Sequence, residues 1–329
     1  MSNKTHETML EMFRQSRDEF ISGMMLSEKL QVSRTAIWKH IRKLEAAGYE
    51  FEASTKLGYR LTFEPDYWNL ECLKHVLSRS SERKRDITLL DEVASTQNVA
   101  KALAEEGAPE GTLVIAEQQL NGRGRMGRSW VSPKGKGIWM SMVLRPSMPI
   151  HCAPQLTLLT AVALCQGLRE ATSLPIGIKW PNDLLIEGKK ISGILLESSA
   201  EDERLKYVIA GIGISVNLNA ADYGDESLLE RATSLRLAAG EPLDRERMIT
   251  AFIARWEHLY ELYKREGFEP IRELWQSLSV SIGKPVRLTT PMESFLGTPL
   301  ELLPSGALSV KREDGSIIPV FSAEMGEPH

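Results

Sequence analysis

The segment GRGRMGRSW, residues 122–130, places three glycines and three arginines in seven consecutive positions. Glycine lets the backbone come close to a ligand, and the arginine guanidinium offers paired donors to a phosphate or a carboxylate. The segment is not a P-loop, because it lacks the GxxxxGK[ST] pattern. Its composition predicts an anion clamp, although a solvated surface loop or a nonspecific RNA contact would have a similar composition.

A second group of reactive side chains lies in KWPNDLLIEGKKISG, residues 179–193. Pro181 predicts a bend that would move Asn182 and Asp183 out of the regular strand and into a cleft. The Glu-Gly pair that follows predicts a tight hairpin turn, and Lys190 lies just beyond it. An ordinary β-hairpin with exposed lysines would explain any one of these residues alone.

Cysteine and histidine patterns point to no further site. The three cysteines, Cys72, Cys152 and Cys165, have no CxxC spacing, which argues against a disulfide framework and a structural zinc site. The six histidines are scattered along the chain, so the sequence predicts no metal-binding cluster. No Ser-His-Asp or Cys-His arrangement is evident either. The segments rich in arginine and lysine therefore remain the candidate sites.

Length and charge limit the classes of function. The chain has 329 residues and a formal net charge of -4, and this length suggests two or three domains. Because an acidic chain repels DNA at long range, nucleic acid binding would need a local basic patch. The sequence contains no apolar run of 18 residues and no apolar signal core. We therefore expect no membrane association and a cytoplasmic location.

The first sixty residues contain such a basic patch. Their pattern predicts a helix, a second helix capped by Ser27, a third helix capped by Ser33, and two strands that form a wing. The polar face of the third helix predicts DNA contacts, as on the second helix of a helix-turn-helix motif. The predicted contact residues are Ser33, Arg34, Thr35, Trp38, Lys39 and Arg42. A helical module with a solvated charged face, or one used for protein contacts, is the alternative.

Strands and helices alternate from residue 87 onwards. The strand ITLLDEV precedes a helix capped by Ser95 or Thr96, and the strand TLVIAEQQ leads directly into the glycine and arginine segment. We predict the α/β (α+β) class. The expected parts are a winged helix-turn-helix domain (1–64), a linker (65–85), a mixed-sheet catalytic domain (86–278) and an SH3-like β-barrel (279–329).

The segments GRGRMGR, KWPND and KKISGILLE, in this order, resemble the signature of biotin protein ligases. The helix-turn-helix segment is similar to that of the bacterial members that also repress the biotin operon. The resemblance covers nearly the whole chain and implies a central domain with the biotin/lipoate ligase-like fold. It also implies that biotin and ATP, with Mg²⁺, give biotinyl-5'-adenylate and pyrophosphate.

The same resemblance implies three partners. A lysine on the biotin carboxyl carrier domain of acetyl-CoA carboxylase, or of another biotin-dependent carboxylase, would displace AMP from the adenylate. Operator DNA would bind the winged helix, and the chain would form a homodimer when adenylate is bound. Activating a carboxylate brings two anions together, so charge neutralisation and alignment would matter more than an acid/base pair.

Individual residues take roles from the resemblance. Arg125 would hold the intermediate, Lys190 would bridge the biotin carboxylate and the α-phosphate, and Asp183 would receive the acceptor lysine or orient the metal. Trp130 would pack beneath the loop or stack on adenine. The other expected binding residues are Ser95, Thr96, Gln97, Gln119, Arg123, Gly124, Gly193, Ser215 and Asn217.

Two positions depart from the family's pattern. Ser215 stands where an adenylate-contacting asparagine is expected, and a serine hydroxyl has a shorter reach. Met126 replaces an arginine that some members have. Two alternatives remain: a winged-helix repressor that senses biotin or a related acid without turning it over, and a lipoate-type ligase. The presence of Arg125, Lys190 and Asp183 argues against the first.

Overall fold

The computed structural model describes residues 2–16, 19–80 and 85–326, and the chain divides into two units. Unit 1 comprises Met1–Tyr67 and Pro133–Lys136, and unit 2 comprises Trp68–Ser132 and Gly137–His329. Residues 81–84 of the predicted linker lie outside the described residues. The four predicted domain limits stay predictions.

The described residues of unit 1 form three helices and a two-stranded antiparallel sheet. Its elements are α1 (Ser2–Gln15), α2 (Gly23–Leu30), α3 (Arg34–Ala46), β1 (Glu50–Ser54) and β2 (Gly58–Phe63). Apolar residues at helical spacing, among them Met9, Leu26, Ile37 and Ile41, form a core of their own. The order of elements confirms the predicted helix-turn-helix with a following hairpin.

Hydroxyl groups cap the second and third helices of unit 1. The Ser33 hydroxyl accepts a hydrogen bond from Ala36 N at 3.2 Å and begins α3, as predicted. The cap of α2 is Ser22, which accepts from Met25 N at 3.1 Å. The predicted cap at Ser27 is wrong, because this residue lies inside α2.

Unit 2 is built on a seven-stranded mixed sheet flanked by helices. In chain order it contains α4 (Leu70–Ser80), β3 (Ile87–Val93), α5 (Thr96–Glu105), β4 (Leu113–Gln119), β5 (Ile138–Leu144), α6 (Ala153–Thr172), β6 (Gly177–Lys179), β7 (Asp183–Ile186), β8 (Lys189–Glu201), β9 (Arg204–Ile214), α7 (Glu226–Leu229), α8 (Leu235–Ala239), α9 (Arg245–Glu266) and α10 (Glu269–Leu278). The strand order is β3-β4-β5-β9-β8-β7-β6. Only the β3/β4 pair of this sheet is parallel.

Successive residues of each strand point to opposite faces of the sheet, and helices cover both faces. Ile115 belongs to the main core with residues of α6 and α9, whereas Val114 packs with Ala100 and Ala104 of α5. The main core also includes Leu73 and Leu77 of α4, a helix that lies in the segment predicted as a linker. The mixed sheet confirms the sequence prediction, and most residues of α6 are buried.

Residues 286–326 form an antiparallel five-stranded sheet within unit 2. Its strands are β10 (Val286–Thr289), β11 (Ser294–Leu302), β12 (Leu308–Arg312), β13 (Ile317–Val320) and β14 (Glu324–Gly326). The Trp180 indole donates to Gly306 O at 3.3 Å, so this sheet contacts the KWPND segment directly. Across residues 2–16, 19–80 and 85–326, no helix is long and apolar enough to cross a membrane.

Candidate functional site

The glycine and arginine segment forms a closed turn after β4. Two backbone hydrogen bonds close it, from Trp130 N to Gly122 O at 2.8 Å and from Gly124 N to Arg128 O at 2.7 Å. Met126 at the tip has a φ of 57°, a left-handed conformation that costs a non-glycine residue about 1–2 kcal/mol. The turn is held by its own backbone, and its arginine side chains are left to make other contacts.

Two of these arginines are held by neutral groups. Arg123 donates to Asn98 Oδ1 at 2.5 Å. Arg125 donates to Asn182 Oδ1 at 3.3 Å and to Ser322 Oγ at 3.1 Å. A guanidinium has five N–H donors, so Arg123 and Arg125 each retain N–H donors for an anion. Among the described residues, neither arginine has a carboxylate within ion-pair distance.

The C-terminal sheet supplies contacts that the sequence analysis missed. Ser322 accepts from Arg125, and the carboxylate of Glu324 forms an ion pair with Arg128. These partners are 197 and 196 residues away from the arginines in the chain. Local patterns carry no signal for contacts at such separations.

Lys190 and Asp183 form an ion pair close to Trp130, the last residue of the glycine and arginine segment. Lys190 Nζ lies 2.7 Å from Asp183 Oδ1 and 5.2 Å from the centroid of the Trp130 ring. Asp183 begins β7 and pairs with Gly193 of β8. The prediction that Pro181 displaces Asp183 from the strand is therefore wrong.

Asn182 occupies the turn between β6 and β7. Its side chain is buried, and its Nδ2 donates to Ile194 O at 2.6 Å. The Asn182 Oδ1 atom then accepts from Arg125. Successive residues of KWPND thus contact the two cations that the sequence predicts to be catalytic, Arg125 through Asn182 and Lys190 through Asp183.

Two glycines form the floor on which Trp130 lies. A Cβ atom at Gly193 would stand 3.1 Å from Lys190 Nζ and 3.4 Å from the Trp130 ring, and one at Gly213 would collide with the indole nitrogen. Gly193 therefore leaves room, and the groups that use it are Lys190 and Trp130. The Trp130 Nε1 atom is buried and makes no hydrogen bond within the described residues.

A buried polar network lies at the start of α5. Gln119 Oε1 accepts from Thr96 N at 2.9 Å, and Gln119 Nε2 donates to Ser132 Oγ at 3.1 Å. Ser141 of β5 joins it, because its hydroxyl lies 2.8 Å from Thr96 Oγ1 and donates to Gln97 Oε1 at 3.0 Å. Three predicted residues, Thr96, Gln97 and Gln119, are brought together in this way.

Two serines belong to this region in different ways. Ser95 is the N-cap residue of α5, as one of the two predicted alternatives had it, but its hydroxyl makes no capping hydrogen bond. Ser141 was missed by the sequence analysis. The available signal was a single hydroxyl in the otherwise apolar strand IWMSMVL, where every residue is buried.

The predicted residues after β9 differ in their surroundings. Ser215 is buried, and its backbone nitrogen donates to Ile191 O at 2.9 Å. Asn217 bonds the backbone of Leu243 at both ends of its amide, with each distance at 2.8 Å. Asn217 thus fixes the chain between β9 and α9, and ligand contact by Asn217 stays a prediction.

The predicted DNA-contact residues lie together on α3 of unit 1. Arg34, Thr35, Trp38, Lys39 and Arg42 are all exposed, with Ser33 at the helix start. The Arg42 guanidinium lies 5.5 Å from the Trp38 ring centroid and also pairs with Glu45. The apolar stripe of α3 faces the core of unit 1, which leaves this polar face available.

A histidine pair joins α1 to α3 behind that face. His40 Nδ1 lies 2.8 Å from His6 Nε2. Burial lowers the pKa of His6, and the nearby His40 and Lys43 lower it further. One of the two rings must therefore act as the acceptor, which requires an unprotonated nitrogen.

Carboxylate and histidine clusters do not occur around the site. Within the described residues, no group of three or more His, Cys, Asp or Glu side chains could hold a metal ion. The two carboxylates named at this site, Asp183 and Glu324, are each paired with a cation, Lys190 and Arg128. The arrangement can bind anions and neutralise their charge, and it offers few ligands to a resident metal.

Comparisons with known proteins agree with this geometry. Residues 89–215 match the biotin/lipoate A/B protein ligase family, and residues 5–60 match an HTH domain. The bifunctional ligase/repressor BirA of Bacillus subtilis is 43% identical over 99% of both chains. BirA of Escherichia coli is 30% identical over 93% of this chain and 92% of its own. The structure of the Aquifex aeolicus biotin protein ligase in complex with biotin and ATP has a TM-score of 0.63 and 30% identity, and it covers 73% of this chain and 97% of that chain.

Proposed function

The chain belongs to the biotin/lipoate A/B protein ligase family, and on this basis we propose that it is a biotin protein ligase and a biotin-responsive repressor. Biotin and ATP are the proposed substrates of the first step. The bound ligands of the Aquifex aeolicus enzyme and the names of the two bacterial relatives support this assignment.

In the first step, the biotin carboxylate attacks the α-phosphorus of ATP, and pyrophosphate leaves. Both reactants are anions, so the protein must neutralise charge and align the reacting atoms. Lys190 would contact the carboxylate and the α-phosphate together, and Arg125 would hold the adenylate through its remaining N–H donors. The network of Thr96, Gln97 and Gln119 would hold the biotin head, with Ser95 offering its hydroxyl beside them.

In the second step, the ε-amine of the acceptor lysine attacks the acyl carbon of biotinyl-5'-adenylate, and AMP leaves. The amine must lose its proton to act as a nucleophile, and Asp183 would orient it or accept that proton. Mg²⁺ would enter bound to ATP, because such ions keep most of their ligands from phosphates and water and need one or two carboxylates. Asp183 is the candidate carboxylate, and the ion would offset phosphate charge.

The observation that carries the proposal is the convergence of two cations on adjacent residues. Arg125 bonds Asn182 at 3.3 Å, and Lys190 pairs with Asp183 at 2.7 Å. Two positive groups at the same turn suit a reaction that joins a carboxylate to a phosphate. A purely structural lysine and arginine would have no need to share this turn.

Pyrophosphate release in the presence of biotin and ATP tests the first step. We expect Lys190→Ala and Arg125→Ala each to lower the rate by a factor of about 10²–10³, the usual effect of losing one charge-stabilising donor. The matched control is Lys189→Ala, because Lys189 bonds Leu229 O and points elsewhere. No biotin-dependent release by the intact protein would favour a sensor without catalysis, and release with lipoate instead would favour a lipoate-type ligase.

The acceptor is proposed to be the biotin carboxyl carrier domain of acetyl-CoA carboxylase or of another biotin-dependent carboxylase. Incubation with labelled biotin, ATP and such a domain should label one lysine of the domain. If labelled adenylate forms but the domain stays unlabelled, the proposed acceptor is wrong, whereas the proposed first step still holds.

Operator DNA is the proposed partner of the polar face of α3. Lys39 and Arg42 would contact phosphates, and Ser33, Arg34, Thr35 and Trp38, near the helix start, would face base edges. We expect Lys39→Ala to weaken binding to all sequences and to reduce the dependence of affinity on salt by about one unit of slope. We also propose that adenylate favours a homodimer, so biotin and ATP together should raise both DNA affinity and sedimentation coefficient.

A further inference from the structure

Trp38 is a large aromatic side chain on the polar face of α3. It is 49% exposed. Among the described residues of unit 1, it belongs neither to the buried core nor to the apolar side chains packed against that core. Arg34 and Arg42 lie four residues before and after it, and residues at this spacing share one side of a helix. The indole therefore lies at the surface between two cations and does not serve the core of unit 1.

The indole of Trp38 is held by a neighbour on the same helix. The Arg42 guanidinium lies over the ring, 5.5 Å from its centroid, and donates to Glu45 Oε2 at 3.0 Å. Because a guanidinium is attracted to an aromatic face, this contact restricts the orientation of both side chains. The part of the ring that stays exposed is therefore presented to a ligand in a fixed orientation.

The charge on α3 indicates which class of ligand covers Trp38. Four cations are exposed on this helix: Arg34, Lys39, Arg42 and Lys43. They form a local basic surface on a chain whose formal net charge is -4. Such a surface attracts a polyanion and neutralises its phosphates. The charge therefore favours nucleic acid over a protein partner as the ligand that contacts the indole.

Thymine is the base whose edge suits an apolar ring on this helix. The indole has a single N–H donor, whereas guanine, cytosine and adenine present mainly hydrogen-bonding groups in the major groove. Thymine adds a C5 methyl group, which apolar side chains contact. Any of the other three bases against the ring would leave polar groups desolvated and unpaired, which is unfavourable. The arginines and lysines of α3 suit guanine and phosphate instead.

We propose that Trp38 contacts the C5 methyl group of a thymine in each half-site of the operator, and so determines which base is bound there. The inference rests on the proposed repressor function and names the base that this position of α3 recognises. Arg42, which lies over the ring, contacts a phosphate next to that thymine. Trp38 thus supplies sequence specificity, and the cations beside it supply affinity for the DNA backbone.

The test removes the methyl group from the DNA and the ring from the protein. The intact protein, with biotin and ATP, first selects its preferred duplex from a random pool. Each thymine of that duplex is then replaced in turn by deoxyuridine, which pairs in the same way and lacks only the methyl group. At one position of each half-site, this replacement should raise the dissociation constant roughly fourfold, the effect of one buried methyl group. Trp38→Ala should bind the thymine and uracil duplexes equally well at that position.

Lys39→Ala is the matched control, because Lys39 is exposed on the same helix and is proposed to contact phosphate. It should weaken binding to both duplexes by the same factor, so the preference for thymine stays roughly fourfold. Trp38→Phe keeps an apolar ring and should retain most of the preference. If Trp38→Ala does not fold, Trp38→Gln replaces the ring with a polar amide and should lose the preference.

The results separate this inference from the repressor proposal. If Trp38 only holds Arg42 in place, Trp38→Ala will weaken binding to both duplexes, as Arg42→Ala does, and will keep the preference for thymine. That result, or a selected duplex in which no thymine replacement changes the dissociation constant, overturns the inference and leaves operator binding intact. If the protein binds no duplex more tightly than a random one, the repressor proposal fails, and this inference fails with it.

Discussion

Replacing Arg245 with methionine would leave Glu117 as a buried carboxylate without its counterion. Arg245 begins α9 and is fully buried; its Nη1 donates to Glu117 Oε2 and to Gly137 O, each at 3.0 Å. Its guanidinium also lies 4.5 Å from the ring centroid of Trp68. Glu117 is on β4, two residues before Gln119, so the pair supports the strand that carries the proposed biotin contacts.

Loss of one partner of a buried ion pair costs about 3–5 kcal/mol, because the other charge stays desolvated. For a domain of this size, each kcal/mol lowers the melting temperature by about 2–4 °C, which gives a fall of roughly 6–20 °C. Thermal unfolding followed by circular dichroism measures this fall in melting temperature.

Replacing Glu117 with glutamine in the same chain removes the unpaired charge, and the double variant should recover at least half of the lost stability. A double variant less stable than Arg245→Met alone would refute the reasoning, because packing and not charge would then account for the cost.

Three further changes test other parts of the molecule. Ser141→Ala should raise KM for biotin about tenfold and leave KM for ATP unchanged, because a buried network partner is lost. Gly213→Ala should lower stability by about 1–3 kcal/mol and change tryptophan fluorescence, because the new methyl group displaces the Trp130 indole; unchanged fluorescence would contradict this. The pKa of His6 is lowered in the folded state. Below pH 6.5 the unfolded chain therefore binds more protons at this residue than the folded chain does. The contribution of His6 to the stability of unit 1 should be complete above pH 6.5 and should be lost as the pH falls further. His6→Asn should abolish this part of the pH dependence in thermal unfolding.

Local patterns predicted the elements whose cause is local. The hairpin turn at Glu187 and Gly188 is confirmed, with φ values of 50° and 81°, because such a turn needs positive φ at both central residues. The cap of α2 was predicted at Ser27, whereas the structure places it at Ser22. Starting the helix at Ser22 places Leu26 within it, and Leu26 is buried in the core of unit 1.

Contacts that depend on distant parts of the chain could not be predicted. The motifs identified Arg125 and Lys190, but the turn that links them through Asn182 and Asp183 required the pairing of β7 with β8. Ser322 and Glu324 come from the C-terminal sheet, and no periodicity connects them to the arginines. Such contacts arise only when the whole of unit 2 is folded.

The partners of each arginine separate those that build unit 2 from those suited to bind ligand. Arg245 and Arg85 are buried against carboxylates, Glu117 and Glu257, so their charge is already neutralised. Arg123 and Arg125 are held by amide and hydroxyl oxygens, which fix geometry without cancelling charge. An anion entering the turn therefore meets uncompensated charge at these two residues.

Arg128 is intermediate between the arginines buried against carboxylates and those held by neutral groups. It pairs with the carboxylate of Glu324, but the Arg128 side chain is 67% exposed. An exposed pair is worth about 0–1 kcal/mol, so it adds little to stability, yet the carboxylate offsets the positive charge of Arg128. The geometry thus ranks the cations of the turn by the charge they can offer to a ligand, with Arg125 and Arg123 ahead of Arg128. In pyrophosphate release, Arg128→Ala should accordingly cost less than Arg125→Ala, and an equal loss would show that the neutral partners do not determine which arginine binds the adenylate.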